Sequence, residues 1–117
     1  MGALEMLRSP ADFRQINAQS RSRSHPTLLL RFRRNNLGQT RFGISTGKRV
    51  GSAVVRNKVR RRLRTILRRM TNEIEPGWDI LLVARPTAAT ATQAELDAAL
   101  TGLLTTAGLL APNKGTN

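Results

Sequence analysis

Ser52-Ala53-Val54-Val55-Arg56-Asn57-Lys58-Val59-Arg60-Arg61-Arg62-Leu63-Arg64-Thr65-Ile66-Leu67-Arg68-Arg69-Met70 reads as one helix with two unlike faces. Val55, Val59, Leu63, Ile66, Leu67 and Met70 recur at spacings of three and four, which at about 100° per residue gives one apolar stripe about 120° wide. Ser52 is placed to cap the first turn. The remaining surface is basic. Arg56 and Arg60 flank the stripe on one side, Lys58, Arg62 and Arg69 on the other, and Asn57, Arg61, Arg64 and Arg68 lie opposite it. One stripe calls for one packing layer beneath it, with the arginines turned outward.

Immediately upstream, Gly47 to Gly51 is a glycine-bounded loop holding Lys48 and Arg49. Before it, Thr27–Arg34 and Thr40–Thr46 read as strands, with Asn35 to Gly38 as the hairpin turn between them. Leu28, Leu30 and Phe32 share one face of the first strand, and Arg31 and Arg33 the other. Phe42 and Ile44 alternate with Arg41, Gly43 and Ser45 in the second. Ser9-Pro10-Ala11-Asp12 opens a short helix whose apolar positions are Phe13 and Ile16. Gln19 to Pro26 is a Ser/Arg-rich connection.

Downstream, Pro76-Gly77 breaks the chain before Trp78–Arg85, a largely apolar strand expected in the middle of the sheet. Thr92-Gln93-Ala94-Glu95 is a capping box for a last helix with Leu96, Ala99, Leu100, Leu103, Leu104 and Ala107 as its stripe and Gly108 as its stop. The order of helix, two strands, helix, strand, helix implies an α+β fold, a two-layer α/β sandwich in which the basic helix crosses over between strands. At 117 residues and 39% hydrophobic content, one domain over residues 7–110 is expected, with residues 1–6 and 111–117 as flexible termini.

Between Phe13 and Asn72 stand seventeen arginines and lysines and no aspartate or glutamate. The net charge of +13 therefore splits into +17 for this block and −4 for everything else. Solvated helix faces mix both signs, whereas Lys48 to Arg69 holds ten basic residues in twenty-two and no acid. Arginine dominates lysine, which suits bidentate phosphate contacts. Such asymmetry is tolerable where a phosphate backbone neutralises it, so nucleic acid is the indicated partner.

The residues of a self-sufficient nuclease are missing. Metal-dependent phosphodiester cleavage needs clustered carboxylates, and metal-free cleavage an acid and base pair. The acids are Glu5, Asp12, Glu73, Glu75, Asp79, Glu95 and Asp97, none inside the basic block, and His25 is the only histidine. His25 sits in a polar connection and is expected to be an exposed loop residue. No GxxxxGK[ST] phosphate loop is present. No catalytic residue and no metal ligand is assigned. With zero cysteine, no apolar run near the ~18 residues that span a bilayer and no signal-peptide layout in Met1 to Leu7, a cytoplasmic protein without membrane contact is expected.

Gly51 to Arg64, with Lys48 and Arg49 before it, closely resembles the signature of the bacterial ribonuclease P protein component, a G-x-A-V-x-R-N-R-x-K/R-R pattern on a basic crossover helix. Asp12-Phe13, Arg41-Phe42-Gly43-Ile44-Ser45 and Trp78-Asp79-Ile80-Leu81-Leu82-Val83-Ala84-Arg85 fall in family order, so the resemblance covers roughly Leu7 to Leu110.

The resemblance implies a short extra strand, for which Arg21 to Ser24 is available, in the order α-β-β-(β)-α-β-α. It also implies a left-handed βαβ crossover of a kind found in a ribosomal-protein domain, against the general right-handed rule. It implies an accessory subunit of an endoribonuclease that removes the 5′ leader from precursor tRNA, with hydrolysis by a catalytic RNA and its magnesium ions. Lys48, Arg49, Arg56, Asn57, Lys58, Arg60, Arg61, Arg64 and Arg68 would engage that RNA. Phe13, Leu30, Phe32 and Phe42 would line a cleft for the single-stranded leader. The implied partners are the catalytic RNA and precursor tRNA, with no obligate protein partner. Three positions depart from the family pattern: Lys58 stands for arginine, Asn17 for a second aromatic and Leu30 for a frequent tyrosine. The alternatives are a structural, ribosomal-type RNA-binding protein, which would lack the leader cleft, and a DNA-condensing protein, which would lack RNA selectivity.

Overall fold

The strand Trp78–Ala84 buries residues on both faces, Ile80 and Leu82 toward one side and Leu81 toward the other. A strand apolar on both faces belongs inside a sheet, and in this computed structural model, which describes residues 4–110, it has a neighbour on each side. The elements in chain order are α1 (Pro10–Ala18), β1 (Arg21–Ser24), β2 (Leu28–Arg34), β3 (Arg41–Thr46), α2 (Ala53–Met70), β4 (Trp78–Ala84) and α3 (Gln93–Ala107). The sheet runs β1-β2-β4-β3; β2 is antiparallel to β1 and β4, and β3 is parallel to β4. Arg21 to Ser24 supplies the extra strand, and α2 is the long connection that a parallel pair requires.

The expected hairpin between β2 and β3 does not form. Asn35 to Gly38 does turn the chain, with Asn36 at φ 60° and Gly38 at φ 78°, but the turn carries it across the start of β4. Asn35 holds this bridge. Its backbone N–H donates to the Gly77 carbonyl at 2.9 Å, its Oδ1 accepts from the Leu37 N–H at 2.8 Å and its Nδ2 donates to Asp79 Oδ1 at 2.9 Å. Sequence alternation describes each strand's faces and says nothing of a third strand slipping between them.

Two layers form the main core. On one face of the sheet, Leu28, Leu30, Phe32, Phe42, Ile80 and Leu82 pack with the α2 stripe (Val59, Leu63, Ile66, Leu67, Met70) and with Leu96, Leu100 and Leu104 of α3. On the reverse face α1 adds a partial third layer, a small cluster of Leu7, Ile16 and Leu81 with Phe13 and Val83 against it. Gly43 makes that closure possible. A Cβ there would lie 2.9 Å from Phe13 Cε1, 3.1 Å from a Leu81 methyl and 3.2 Å from a Leu7 methyl.

The helix ends follow the sequence signals. Ser9 Oγ accepts from the Asp12 N–H, Thr92 and Glu95 form the reciprocal capping box, and Gly108 ends α3 at φ 75°. Two expectations change. Residues 4–6, taken as part of a flexible terminus, instead run beside β3, where the Phe42 N–H donates to the Glu5 carbonyl and the Leu7 N–H to the Phe42 carbonyl, covering an otherwise open edge. His25 is half-buried rather than exposed, its Nδ1 accepting from the Thr27 N–H at 3.1 Å in the turn between β1 and β2. Residues 1–3 and 111–117, where flexibility was also expected, lie outside the described residues.

Asp79, wholly buried at the start of β4, ties these elements together. Arg41 of β3 grips it with two bonds, Nε to Oδ1 at 2.9 Å and Nη2 to Oδ2 at 2.8 Å, and reaches Asp12 of α1 through Nη1 at 3.3 Å. Arg33 of β2 stands 3.6 Å from the same carboxylate. Hydrogen bonding to Asp79 raises the pKa of Arg41 further. The Ser9 hydroxyl, followed by the Arg41 charge, holds the Asp12 carboxyl below its ordinary 3.8, outweighing partial burial. A depressed carboxyl stabilises the fold above its ordinary pKa and loses that effect as pH falls through the folded value.

Two outcomes are expected. Asp79→Ala should lower the unfolding free energy in urea by about 3 kcal/mol, because it strands Arg41 and Arg33 without their counter-charge. In acid titrations followed by denaturant melts, Asp12→Asn should lose less stability below pH 3.8 than the parent protein does.

Candidate nucleic-acid interface

The α2 helix starts where Gly51, at φ 150°, lets the chain pass close to Val55; a Cβ there would sit 3.0 Å from the Val55 side chain. Ser52 Oγ accepts from the Val55 N–H, and eighteen residues of helix follow with no acid in the first turn. With the stripe buried on the sheet, the basic residues divide by what they touch. Arg62 Nη1 donates to the Ala91 carbonyl at 2.9 Å, and Arg69 is ion-paired with Asp97 of α3. Those two arginines fasten α2 to its neighbour.

The others are left without a counter-charge. Among the described residues, ion pairs involve only Arg33, Arg41 and Arg69 on the basic side, so Lys48, Arg49, Arg56, Lys58, Arg60, Arg61, Arg64 and Arg68 have no acid within 4.0 Å. Asn57, Arg61, Arg64 and Arg68 form a row about 16 Å long at 1.5 Å per residue. Arg56 and Arg60, half-buried at one flank, hold their Nε atoms inward without a partner. Lys48 and Arg49, exposed on a 3-10 turn, add charge at the positive end of the helix dipole. All nine residues expected to contact RNA therefore lie on α2 or the turn that leads into it. Sequence periodicity had set Arg62 and Arg69 beside this surface, and their bonds to Ala91 and Asp97 mark its boundary.

The four residues expected to line one cleft do not share a face. Phe13 is half-buried on the reverse side of the sheet with α1. Leu30 is 0% exposed and Phe32 and Phe42 are 1% exposed, all under α2 and α3. The cause is strand parity. The apolar alternates of β2 feed the large core, so Arg31 and Arg33, with Leu29, turn toward α1. By register, Ser22 and Ser24 of β1, Val83 of β4 and Gly43 and Ser45 of β3 share that side. The missed residues were already marked by the alternation of Leu30 and Phe32 with Arg31 and Arg33.

Among the described residues no group of three or more histidine, cysteine, aspartate or glutamate side chains stands close enough to hold a metal ion. None of the described helices is long and apolar enough to cross a membrane.

The model of the family described as Ribonuclease P matches residues 1–108. The chain belongs to the ribonuclease P protein family. The ribonuclease P protein component of Herpetosiphon aurantiacus is 36% identical over 105 residues, which cover 90% of this chain and 85% of the relative. That of Roseiflexus sp. is also 36% identical over 105 residues, covering 89% and 86%. Among solved structures, the Staphylococcus aureus RNase P protein superposes with a TM-score of 0.84 at 27% identity, covering 92% of this chain and 98% of that one. The Thermotoga maritima RNase P protein gives 0.77 at 28%, covering 84% and 93%. This is thus an accessory protein of ribonuclease P, the endoribonuclease of tRNA 5′ processing. A ribosomal-type structural role is not favoured.

Arg61→Ala and Arg64→Ala should each lower the slope of log affinity against log salt by about 0.7 to 0.9 for a structured RNA, if each contacts one phosphate. Arg69→Ala, whose charge is already met by Asp97, should leave the slope unchanged. Fluorescence anisotropy across a salt series reads all three.

Proposed function

We propose that the α2 surface docks on the catalytic RNA of ribonuclease P while the α1 side of the sheet receives the single-stranded 5′ leader of precursor tRNA. Hydrolysis falls to the RNA and to magnesium ions held by it, and the complex works in the cytoplasm. The observation that carries this reading is the division of the arginines: Arg62 and Arg69 are bonded to Ala91 and Asp97, while a continuous outward row is left unneutralised. An arginine row on a helix suits the phosphates of a folded RNA, which present shape and charge rather than readable base edges. Eight cations without counter-ions lower the repulsion between two RNA backbones brought together. The protein's contribution is then to binding and to the ionic conditions under which the RNA can act.

For the leader, Phe13 supplies an aromatic surface and Arg31, with no acid beside it among the described residues, a phosphate partner on the same side of the sheet. With Asn17 exposed one turn along α1 in place of a second aromatic, this groove relies on charge and apolar contact more than on paired stacking. Leu30, Phe32 and Phe42 support it from beneath.

Added to a bacterial ribonuclease P RNA at low magnesium, the protein should restore 5′ cleavage of precursor tRNA, and alone it should leave the substrate intact. No stimulation by a folded preparation contradicts the proposal. Arg31→Ala should weaken binding of leader-bearing over mature tRNA by about tenfold, the size of one charge-assisted contact. Leu30→Ala should instead cost about 2 to 5 kcal/mol of folding stability without changing that ratio.

A further inference from the structure

At the end of the sheet where β1 begins, β2 ends and β4 begins, a cavity of about 480 Å³ opens beside Trp78. It shares no residue with the α2 row, and neither Phe13 nor Arg31 lines it. Its walls include Ser20, Arg21, Arg34 and Trp78, with Phe32 beneath, and no acid is among its lining residues. Register builds it: Arg21 stands opposite Phe32, and Arg34 opposite Trp78. The Arg34 guanidinium lies 4.7 Å from the centre of the indole. Phe32 meets the same indole edge-on, with centroids 5.8 Å apart and planes at 61°. Trp78 is therefore held on two sides, half-exposed, with a cation stacked on it.

The chemistry of this corner selects a ligand. Arg33, also in the wall, is committed to Asp79, whereas Arg21 and Arg34 are exposed and free of acids among the described residues. The Ser20 Oγ is buried with no hydrogen-bond partner. Two guanidinium groups and a hydroxyl suit a phosphate, and the flat Arg34–Trp78 stack offers a surface on which a base can lie. An acidic peptide would satisfy the cations and leave the stack unused.

We propose that this cavity is a separate RNA subsite that takes one unpaired nucleotide, its phosphate between Arg21, Arg34 and Ser20 and its base against the Arg34–Trp78 stack. It needs neither the α2 docking surface nor the α1 groove.

Trp78 is the single tryptophan of the chain, so its emission reports on the site directly. The full-length protein is titrated with a short single-stranded RNA, with adenosine monophosphate and with an oligo-glutamate peptide. Saturable quenching by both nucleotide ligands is expected. Arg21→Ala and Arg34→Ala, each read against its own baseline, should weaken binding about tenfold, and Arg69→Ala should leave it unchanged. Arg34→Lys should keep phosphate-dependent binding and lose the quenching by the base. Absence of saturable quenching overturns the proposal, as does equal weakening in Arg69→Ala, which would mean non-specific charge. Binding of oligo-glutamate as tight as that of RNA overturns it in favour of a protein partner. Restored cleavage with no quenching would remove this subsite and leave the proposed function standing.

Discussion

The buried carboxylate of Asp79 is the point on which the arrangement of this protein depends. Among the described strands it sits at the entry of the only one with a hydrogen-bonded neighbour on each side and both faces apolar, and groups from the surrounding segments converge on it: Arg41 from β3, Arg33 from β2 and Asn35 just beyond β2, with Asp12 of α1 joined to it through Arg41. Burying an isolated carboxylate is costly, and the cost is met only when all these groups are in place. The cluster thus favours the one assembly in which β4 enters between β2 and β3. That assembly makes β3 and β4 parallel, makes α2 the crossover, and brings α1 onto the opposite side of the sheet. The two surfaces proposed for nucleic acid are consequences of this order.

Arginine has three separate uses in the molecule. Arg33 and Arg41 neutralise the one buried acid; Arg62 and Arg69 fasten α2 to the segment around α3; Arg61, Arg64 and Arg68 of the outward row have no counter-ion among the described residues. The acids excluded from Phe13 to Asn72 in sequence are brought back only where an arginine has a structural task, as at Asp79 and Asp97. The remaining charge is kept whole.

Much of this was legible before any coordinates. The α2 stripe, the cap at Ser52, the box from Thr92 to Glu95 and the stop at Gly108 are local signals, and each lies where its chemistry requires. The seven α2 residues expected to contact RNA lie together on the outward side of the helix because a helix converts spacing into direction. What could not be read was pairing over long separations. Asn35 to Gly38 has the composition of a hairpin turn, and only the doubly apolar β4 forces β2 and β3 apart. The cleft suffered in the same way. Phe13, Leu30, Phe32 and Phe42 are apolar neighbours by family likeness, but strand parity divides Phe13 from the other three. Asp79, one acid in an apolar strand, gave no sign of the arginines that would meet it.

Because the chain has no cysteine, single cysteines carrying a photo-activated cross-linker can test the division of surfaces directly. Asn17→Cys places the probe on α1, one turn beyond Phe13, and Lys58→Cys places it on the exposed side of α2. In the complex of protein, ribonuclease P RNA and precursor tRNA, the Asn17 position should label the 5′ leader and the Lys58 position the catalytic RNA. Labelling of the leader from Lys58, with none from Asn17, would contradict the assignment of the two surfaces.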